Sequence, residues 1–135
     1  MNQVVIGLGS NIDAEKNIAK AKEILSAQFQ ILQSSQFKIT KPINAKNHPD
    51  FVNGALLIET FLSQGELKTR LHDIDDSLGR PRHSDRSAPR TIDLDIIVWN
   101  NLILDQDFYT RDFLKNAVLE LLPELLQNPF REGNS

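Results

Sequence analysis

Two aspartates, Asp93 and Asp95, stand two residues apart in the stretch "RSAPRTIDLDIIVW" at 86–99, three residues past an arginine. The stretch reads as a strand. Ile92, Leu94, Ile96 and Val98 alternate with Thr91, Asp93, Asp95 and Ile97, so one face is aliphatic and the other carries both carboxylates. Residues i and i+2 on a strand point the same way, about 6.6 Å apart. Like charges so placed repel and add nothing to a sheet by themselves. Their oxygens can, however, converge on Mg²⁺, which is commonly held by one or two carboxylates together with substrate phosphates. The alternative is a solvated strand face, against which the apolar neighbours Ile97 and Trp99 weigh.

A cationic segment leads into this strand. Arg80, Arg82, His83, Arg86 and Arg90 fall within 80–90, and Asp85 is the only acid among them. The planar fork of arginine binds phosphate through paired hydrogen bonds. With two prolines, two serines and no large apolar residue, the segment reads as a mobile loop able to close over a polyphosphate and exclude water. A merely solvated loop is the other reading, although four arginines and no lysine is an unusual choice for solubility alone.

Three further features carry candidate chemistry. Asn53, in "DFVNGA", has apolar flanks, and burying an unpaired amide is costly. A flat heterocycle with alternating donors and acceptors would partner it, and so would a neighbouring backbone. Phe51 shares its face and is placed to stack on such a ring. His72 and Asp75 sit three apart on a predicted helix, off its Leu67, Leu71, Ile74 and Leu78 stripe, so they contact a nucleotide or face water. "GLGSN" at 7–11 is part of a dinucleotide fingerprint, but a third glycine and a following acid are missing. It reads as a tight turn that lets a ligand or another strand come close.

The elements that must position these residues follow from the rest of the chain. Its 135 residues suit one domain spanning 1–135, and 40% hydrophobic with 24% charged residues describes a globular protein. No run approaches ~18 consecutive apolar residues, and the start lacks a basic segment followed by a long apolar one, so neither a membrane partner nor a secretory signal is expected. Without cysteine there is no disulfide or thiolate metal site, which fits a cytoplasmic location. A net charge of −3 does not attract polyanions, so no nucleic-acid partner is expected.

Val4, Val5 and Ile6 predict a buried strand that ends in the glycine-rich turn. Asp13 then caps a helix with Ala14, Ile18, Ala21, Leu25 and Phe29 on one side. A strand over 31–40, a loop over 41–50 and a strand over 51–62 follow, with Gly54 marking a bulge. Ser63 and Glu66 form a capping box for the next helix, and Gly79 suits its C-terminal end. After the arginine loop and the acidic strand, 100–110 reads as irregular. The stretch 111–125 reads as a helix with Phe113, Leu114, Ala117, Val118 and Leu121 on one side. This order predicts a single α+β sandwich, with an antiparallel-rich sheet and helices on one face.

Laid out in this way, the chain resembles the 6-hydroxymethyl-7,8-dihydropterin pyrophosphokinase family. The resemblance runs from "VVIGLGSN" at 4–11 to "LELLPEL" at 119–125, and its most specific part is R-x-x-P-R-T-I-D-L-D-I at 86–96. Supporting matches are "GSN" at 9–11, T-x-P at 40–42, "PDFVN" at 49–53, "GR-x-R" at 79–82, R-x-F at 111–113 and E-x-x-P at 120–123. The resemblance implies a ferredoxin-like βαββαβ fold with an additional C-terminal helix and mobile loops. It implies transfer of pyrophosphate from the co-substrate ATP to the pterin hydroxymethyl group, in folate biosynthesis, so the partners expected are small molecules; the oligomeric state is not given by the sequence, a monomer being the expectation. It further implies two Mg²⁺ held by Asp93 and Asp95, and phosphate handling by Arg80, Arg82, Arg86, Arg90 and Arg111. Asn53 would read the pterin between Phe51 and Phe113, beside Thr40 and Pro42, with His72 and Asp75 on the nucleotide side. Two rivals remain at this stage: a paralogue that binds a pterin or nucleotide with little turnover, and a ferredoxin-like nucleic-acid-binding module using the arginine loop.

The chain departs from the family pattern twice. Ser87 and Ala88 follow Arg86, where the family has a tryptophan, and Asp105 falls where it has a nucleotide-contacting histidine. Loop closure therefore gains less from each ligand. We expect a KM for ATP above that of a family member carrying both residues, measured side by side under the same conditions. Equal KM values would show that other residues compensate.

Overall fold

The computed structural model describes residues 1–40, 51–78 and 92–125. The elements are β1 (Asn2–Ser10), α1 (Ala14–Gln28), β2 (Gln30–Ser34), β3 (Lys38–Thr40), β4 (Phe51–Thr60), α2 (Gln64–Ser77), β5 (Asp93–Trp99), β6 (Leu102–Ile103), α3 (Asp107–Thr110) and α4 (Asp112–Leu121). One sheet runs in the order β2-β4-β1-β5-β6, with β3 also on β4, and its pairings are antiparallel. The unit β1–α1–β2 leaves a gap that β4 fills, and β4–α2–β5 leaves one that β1 fills. This is the expected ferredoxin-like βαββαβ arrangement, with α4 added. Among the described residues no helix is long and apolar enough to cross a membrane.

The sheet has a core on each side. Val4, Ile6 and Leu8 of β1 pack with Leu56 and Ile58 of β4, under Ile18, Ala21 and Leu25 of α1 and Leu67, Leu71 and Ile74 of α2. Val5 points the other way and packs with Ala55, Leu57, Ile97 and Val98, under Phe108 of α3 and Leu114, Val118 and Leu121 of α4. The expectation of helices on one face thus holds for α1 and α2 only. The consecutive Val4, Val5 and Ile6 are all fully buried, and a strand that is apolar on both faces needs cover on both.

Five local expectations change for physical reasons. Gly7 and Gly9 lie inside β1 and not in a turn, because β1 stays paired with β4 as far as Ser10 and Val52. The strand expected over 31–40 is broken at 35–37. There Ser35 brackets Ala55, donating its N–H to the Ala55 carbonyl at 2.9 Å and accepting the Ala55 N–H on Oγ at 2.8 Å. Lys38 then lies opposite Asn53, so Gln36 and Phe37 together face the single residue Gly54. The bulge expected at Gly54 is therefore on the partner strand, while β4 runs straight against β1.

In β5 the register shifts between Val5 and Ile6 of its partner, which pair with Val98 and Ile96. Ile97 is the extra residue, and beyond it the alternation reverses, so Val98 joins the α4 side instead of the face of Leu94. Finally, 100–110 is not irregular throughout. Asn100 and Asn101, at φ 47° and 69°, form a two-residue hairpin turn between β5 and β6. Asn100 also exchanges hydrogen bonds with Gln3, its Oδ1 accepting the Gln3 N–H and its own N–H reaching the Gln3 carbonyl, both at 2.8 Å.

The capping box forms as expected. The Ser63 N–H donates to Glu66 Oε1 at 3.0 Å and the Glu66 N–H to Ser63 Oγ at 3.2 Å. The Ser63 backbone bond chiefly, and the Ser63 side chain next, hold the Glu66 carboxyl below its ordinary 4.5. A depressed carboxylate contributes stability that is present above the unfolded pKa and lost as pH falls through the folded one. Glu66→Gln should therefore melt below the wild type at neutral pH, and the gap should close as pH is taken well below 4.5. A gap that does not narrow in acid would show that the charge of Glu66 plays no part.

Candidate active site

The residues singled out on β4 and β5 meet across β1. Asn53 pairs with Gly9, and Gly9 pairs on its other side with Asp93. In the next row, Ala55, Gly7 and Asp95 align in the same way. With strands about 4.8 Å apart, Asn53 and Asp93 stand roughly 10 Å from each other at the backbone. Between them β1 presents glycine and no side chain. A Cβ at Gly9 would come within 2.5 Å of Asn53 Oδ1, so the amide already leans across that bare floor. At Gly7 a Cβ would meet the Ile97 side chain at 3.2 Å and Leu114 at 3.6 Å, which places this row on the α4 side of the sheet.

The walls come from neighbouring elements. Phe51 is half-buried two residues before Asn53 on the same face, and Thr40 pairs opposite it on β3. Phe113, in the first turn of α4, packs against the apolar cluster beneath that helix. Asp93 is half-buried and Asp95 exposed. Arg111 immediately precedes α4 and lies half-exposed, with Nε 3.6 Å from Asp107 Oδ2. Asp105, half-buried, opens α3. Its Oδ1 accepts the Asp107 N–H at 2.9 Å and so begins the turn of α3.

His72 and Asp75 are not gathered with these residues, because α2 covers the opposite face of the sheet. His72 is exposed there, as one of its two readings allowed. Asp75 is only 3% exposed and so does not stand off the apolar stripe. It is four residues after Leu71 and next to Ile74, which turns it inward. Pro42, Arg80, Arg82, His83, Arg86, Ser87, Ala88 and Arg90 lie outside the described residues. Three residues of these rows differ from the sequence reading. Gly7 and Gly9 were assigned to a turn, and Lys38, opposite Asn53, went unnamed although it shares a strand face with Thr40. Alternation alone would have found Lys38.

The close approach of Asn53 to Gly9 has a measurable consequence. Gly9→Ala should force the amide to rotate away and weaken binding of a 6-hydroxymethylpterin by an amount comparable to Asn53→Ala, about 1–3 kcal/mol. Because both act through one amide, the double variant should bind no more weakly than Asn53→Ala alone. Additive losses in calorimetry would show that Gly9 acts independently.

With this geometry in place, the comparisons with known proteins are specific. Residues 5–123 match the model of the family described as 7,8-dihydro-6-hydroxymethylpterin-pyrophosphokinase. A 2-amino-4-hydroxy-6-hydroxymethyldihydropteridine pyrophosphokinase of Bacillus subtilis is 34% identical, the alignment covering 100% of this chain and 85% of that one. The protein of the same name from Haemophilus influenzae is 32% identical, over 90% of this chain and 82% of its own length. That from Helicobacter pylori is 34% identical, over 78% and 68% respectively. The match spans β1, which supplies the bare floor, β4 and β5, which supply its two sides, and α4 behind them, so the chain belongs to the 7,8-dihydro-6-hydroxymethylpterin-pyrophosphokinase family.

Proposed function

We propose that this protein transfers the pyrophosphoryl group of ATP to the hydroxymethyl group of 6-hydroxymethyl-7,8-dihydropterin, releasing AMP, as a step of folate biosynthesis. The observation that carries the reading is the row Asn53–Gly9–Asp93. It sets an amide that can read a heterocycle and a carboxylate pair that can gather phosphate on opposite sides of a floor without side chains. A flat bicyclic ring fits such a floor. Asn53 would hydrogen-bond its edge, Phe51 and Phe113 would stack on its faces, and Thr40 and Pro42 would border it.

The donor set suits a hard cation. Asp93 and Asp95 are carboxylates two apart on one strand face, and their partners on β1 are glycines that crowd neither. We assign them two Mg²⁺ ions carried with ATP, which would neutralise phosphate charge and make the attacking alcohol more acidic. The hydroxymethyl oxygen attacks the β-phosphorus, the bond from that phosphorus to the α-phosphate bridging oxygen breaks, AMP leaves with the electron pair, and the alcohol proton passes to water. Such a transfer asks a protein mainly for positioning and electrostatic stabilisation. Arg80, Arg82, Arg86, Arg90 and Arg111 would supply the positive charge.

The same reading takes the chain as a single domain acting as a cytoplasmic monomer on two small molecules, without nucleic acid or membrane as partner. The net charge of −3 supports it. So does the cover of helices on both sheet faces, since a nucleic-acid module of this fold stacks bases on an open face.

The test is AMP release from ATP and 6-hydroxymethyl-7,8-dihydropterin, with Mg²⁺ and with EDTA. Asp93→Asn and Asp95→Asn should each lower turnover by orders of magnitude and leave metal-free melting near or above the wild type, since each removes like-charge repulsion. Both should also lose the added thermal stability that Mg²⁺ with a nonhydrolysable ATP analogue gives the wild type. Retained turnover in either variant would remove the carboxylate pair from the chemistry.

A further inference from the structure

The break between β2 and β3 is three residues long, and each is held by a different contact. Ser35 brackets Ala55 of β4. The Phe37 ring lies on the Gly54 backbone, where a Cβ would come within 2.6 Å of it, and Lys22 Nζ of α1 sits 4.7 Å above the ring. Between them the Gln36 N–H donates to Glu120 Oε2 of α4 at 2.7 Å. This bond joins residues 84 apart in the chain. The bond is solvent-exposed, and its length is that of a hydrogen bond to a carboxylate.

Glu120 stands in the last turn of α4 and Phe113 in the first. Seven residues apart, they share a helical face, about 10.5 Å from each other along the axis. Gln36 lies two residues before β3, which carries Lys38 opposite Asn53 and Thr40 opposite Phe51. The bond between Glu120 and Gln36 therefore ties the element bearing Phe113 to the strand that borders Asn53 and Phe51.

We propose that Glu120 is a positioning residue for the pterin. Through the Gln36 N–H it fixes the spacing of α4 and β3 as two walls of one slot. This rests on the pterin reading above. Glu120 touches neither substrate in this scheme, so its loss should be felt by one ligand and not the other.

Calorimetric Kd values for 6-hydroxymethylpterin and for a Mg²⁺–ATP analogue, with amide hydrogen exchange over 35–40, test it on the intact chain. Glu120→Ala should weaken pterin binding roughly three- to tenfold, leave nucleotide binding unchanged and speed exchange at Gln36 and along β3. Glu120→Gln keeps an acceptor oxygen and should restore most of both effects. Equal weakening of both ligands, unchanged pterin affinity, or exchange at Gln36 unaltered in Glu120→Ala would overturn the inference. A wild-type protein that binds no pterin and releases no AMP would instead overturn the pterin reading, and that failure is visible before any variant is compared.

Discussion

β1 is hydrogen-bonded along both edges, to β4 and to β5, and its alternate residues are committed to opposite cores. A strand in that position has no polar side to spare. Its first half meets the demand with Val4, Val5 and Ile6, which fill both cores at once. Its second half continues only one of them. Leu8 still packs toward α1 and α2, while Gly7 and Gly9 withdraw every side chain from the α4 side. The central strand thus gives side chains to one core and, in its second half, lets side chains of neighbouring elements, Ile97 and Leu114 at Gly7 and Asn53 at Gly9, come down onto its backbone on the other face. Among the described candidates, Asn53 lies across one edge of that strand, Asp93 and Asp95 across the other, and Phe113 on α4, the helix that packs on this face.

Two carboxylates on one strand face are a local cost to the sheet, and β5 is secured elsewhere. The bulge at Ile97 brings both Ile97 and Val98 onto the apolar cluster under α4. The asparagine turn at its end folds β6 back, and Asn100 fastens it to Gln3. The strand is therefore apolar and anchored where it pairs with the start of β1, and charged where it pairs with the glycines. On the proposed reading of Asp93 and Asp95, stability and chemistry are separated along the strand as well as between its faces, as expected where function asks for groups that folding alone would not choose.

Much of this was legible from residue order. The helical spacing of Ile18, Ala21 and Leu25, the pairing of Ser63 with Glu66, and the i, i+2 spacing of Phe51 with Asn53 and of Asp93 with Asp95 each have a short-range physical cause, and each reads correctly. What escaped depends on partners distant in sequence. Gly7 and Gly9 carry the local signature of a turn, and only the ladder with β4 keeps them extended. Asp75 looks polar and peripheral until the pitch of α2 turns it beside Ile74. The bulge at Ile97 leaves no mark in "DLDIIVW", since isoleucine and valine suit either face. The asparagine pair was legible and passed over, because adjacent asparagines tolerate the left-handed backbone that a two-residue hairpin requires. The amide and carboxylates could be named as chemistry from sequence, but their opposition across Gly9 could not, because it depends on three strands meeting in one register.

The order of the strands also bears on how the chain reaches this state. β1 has no partner until β4, where Asn2 meets Thr60 and Ser10 meets Val52, and it gains its second partner only with β5. β2 likewise waits for β4. Forty residues of a growing chain can wind α1, but they contain none of the ladder partners of β1 or β2. Both interleaved units must close long loops before either is rewarded with hydrogen bonds, so the loop entropy is met late and together. The sheet should then condense as one event around β4, the strand that pairs with β1, β2 and β3 alike. Until it does, the apolar Val4–Ile6 segment is exposed and unpaired, and the row Asn53–Gly9–Asp93 does not exist even in outline.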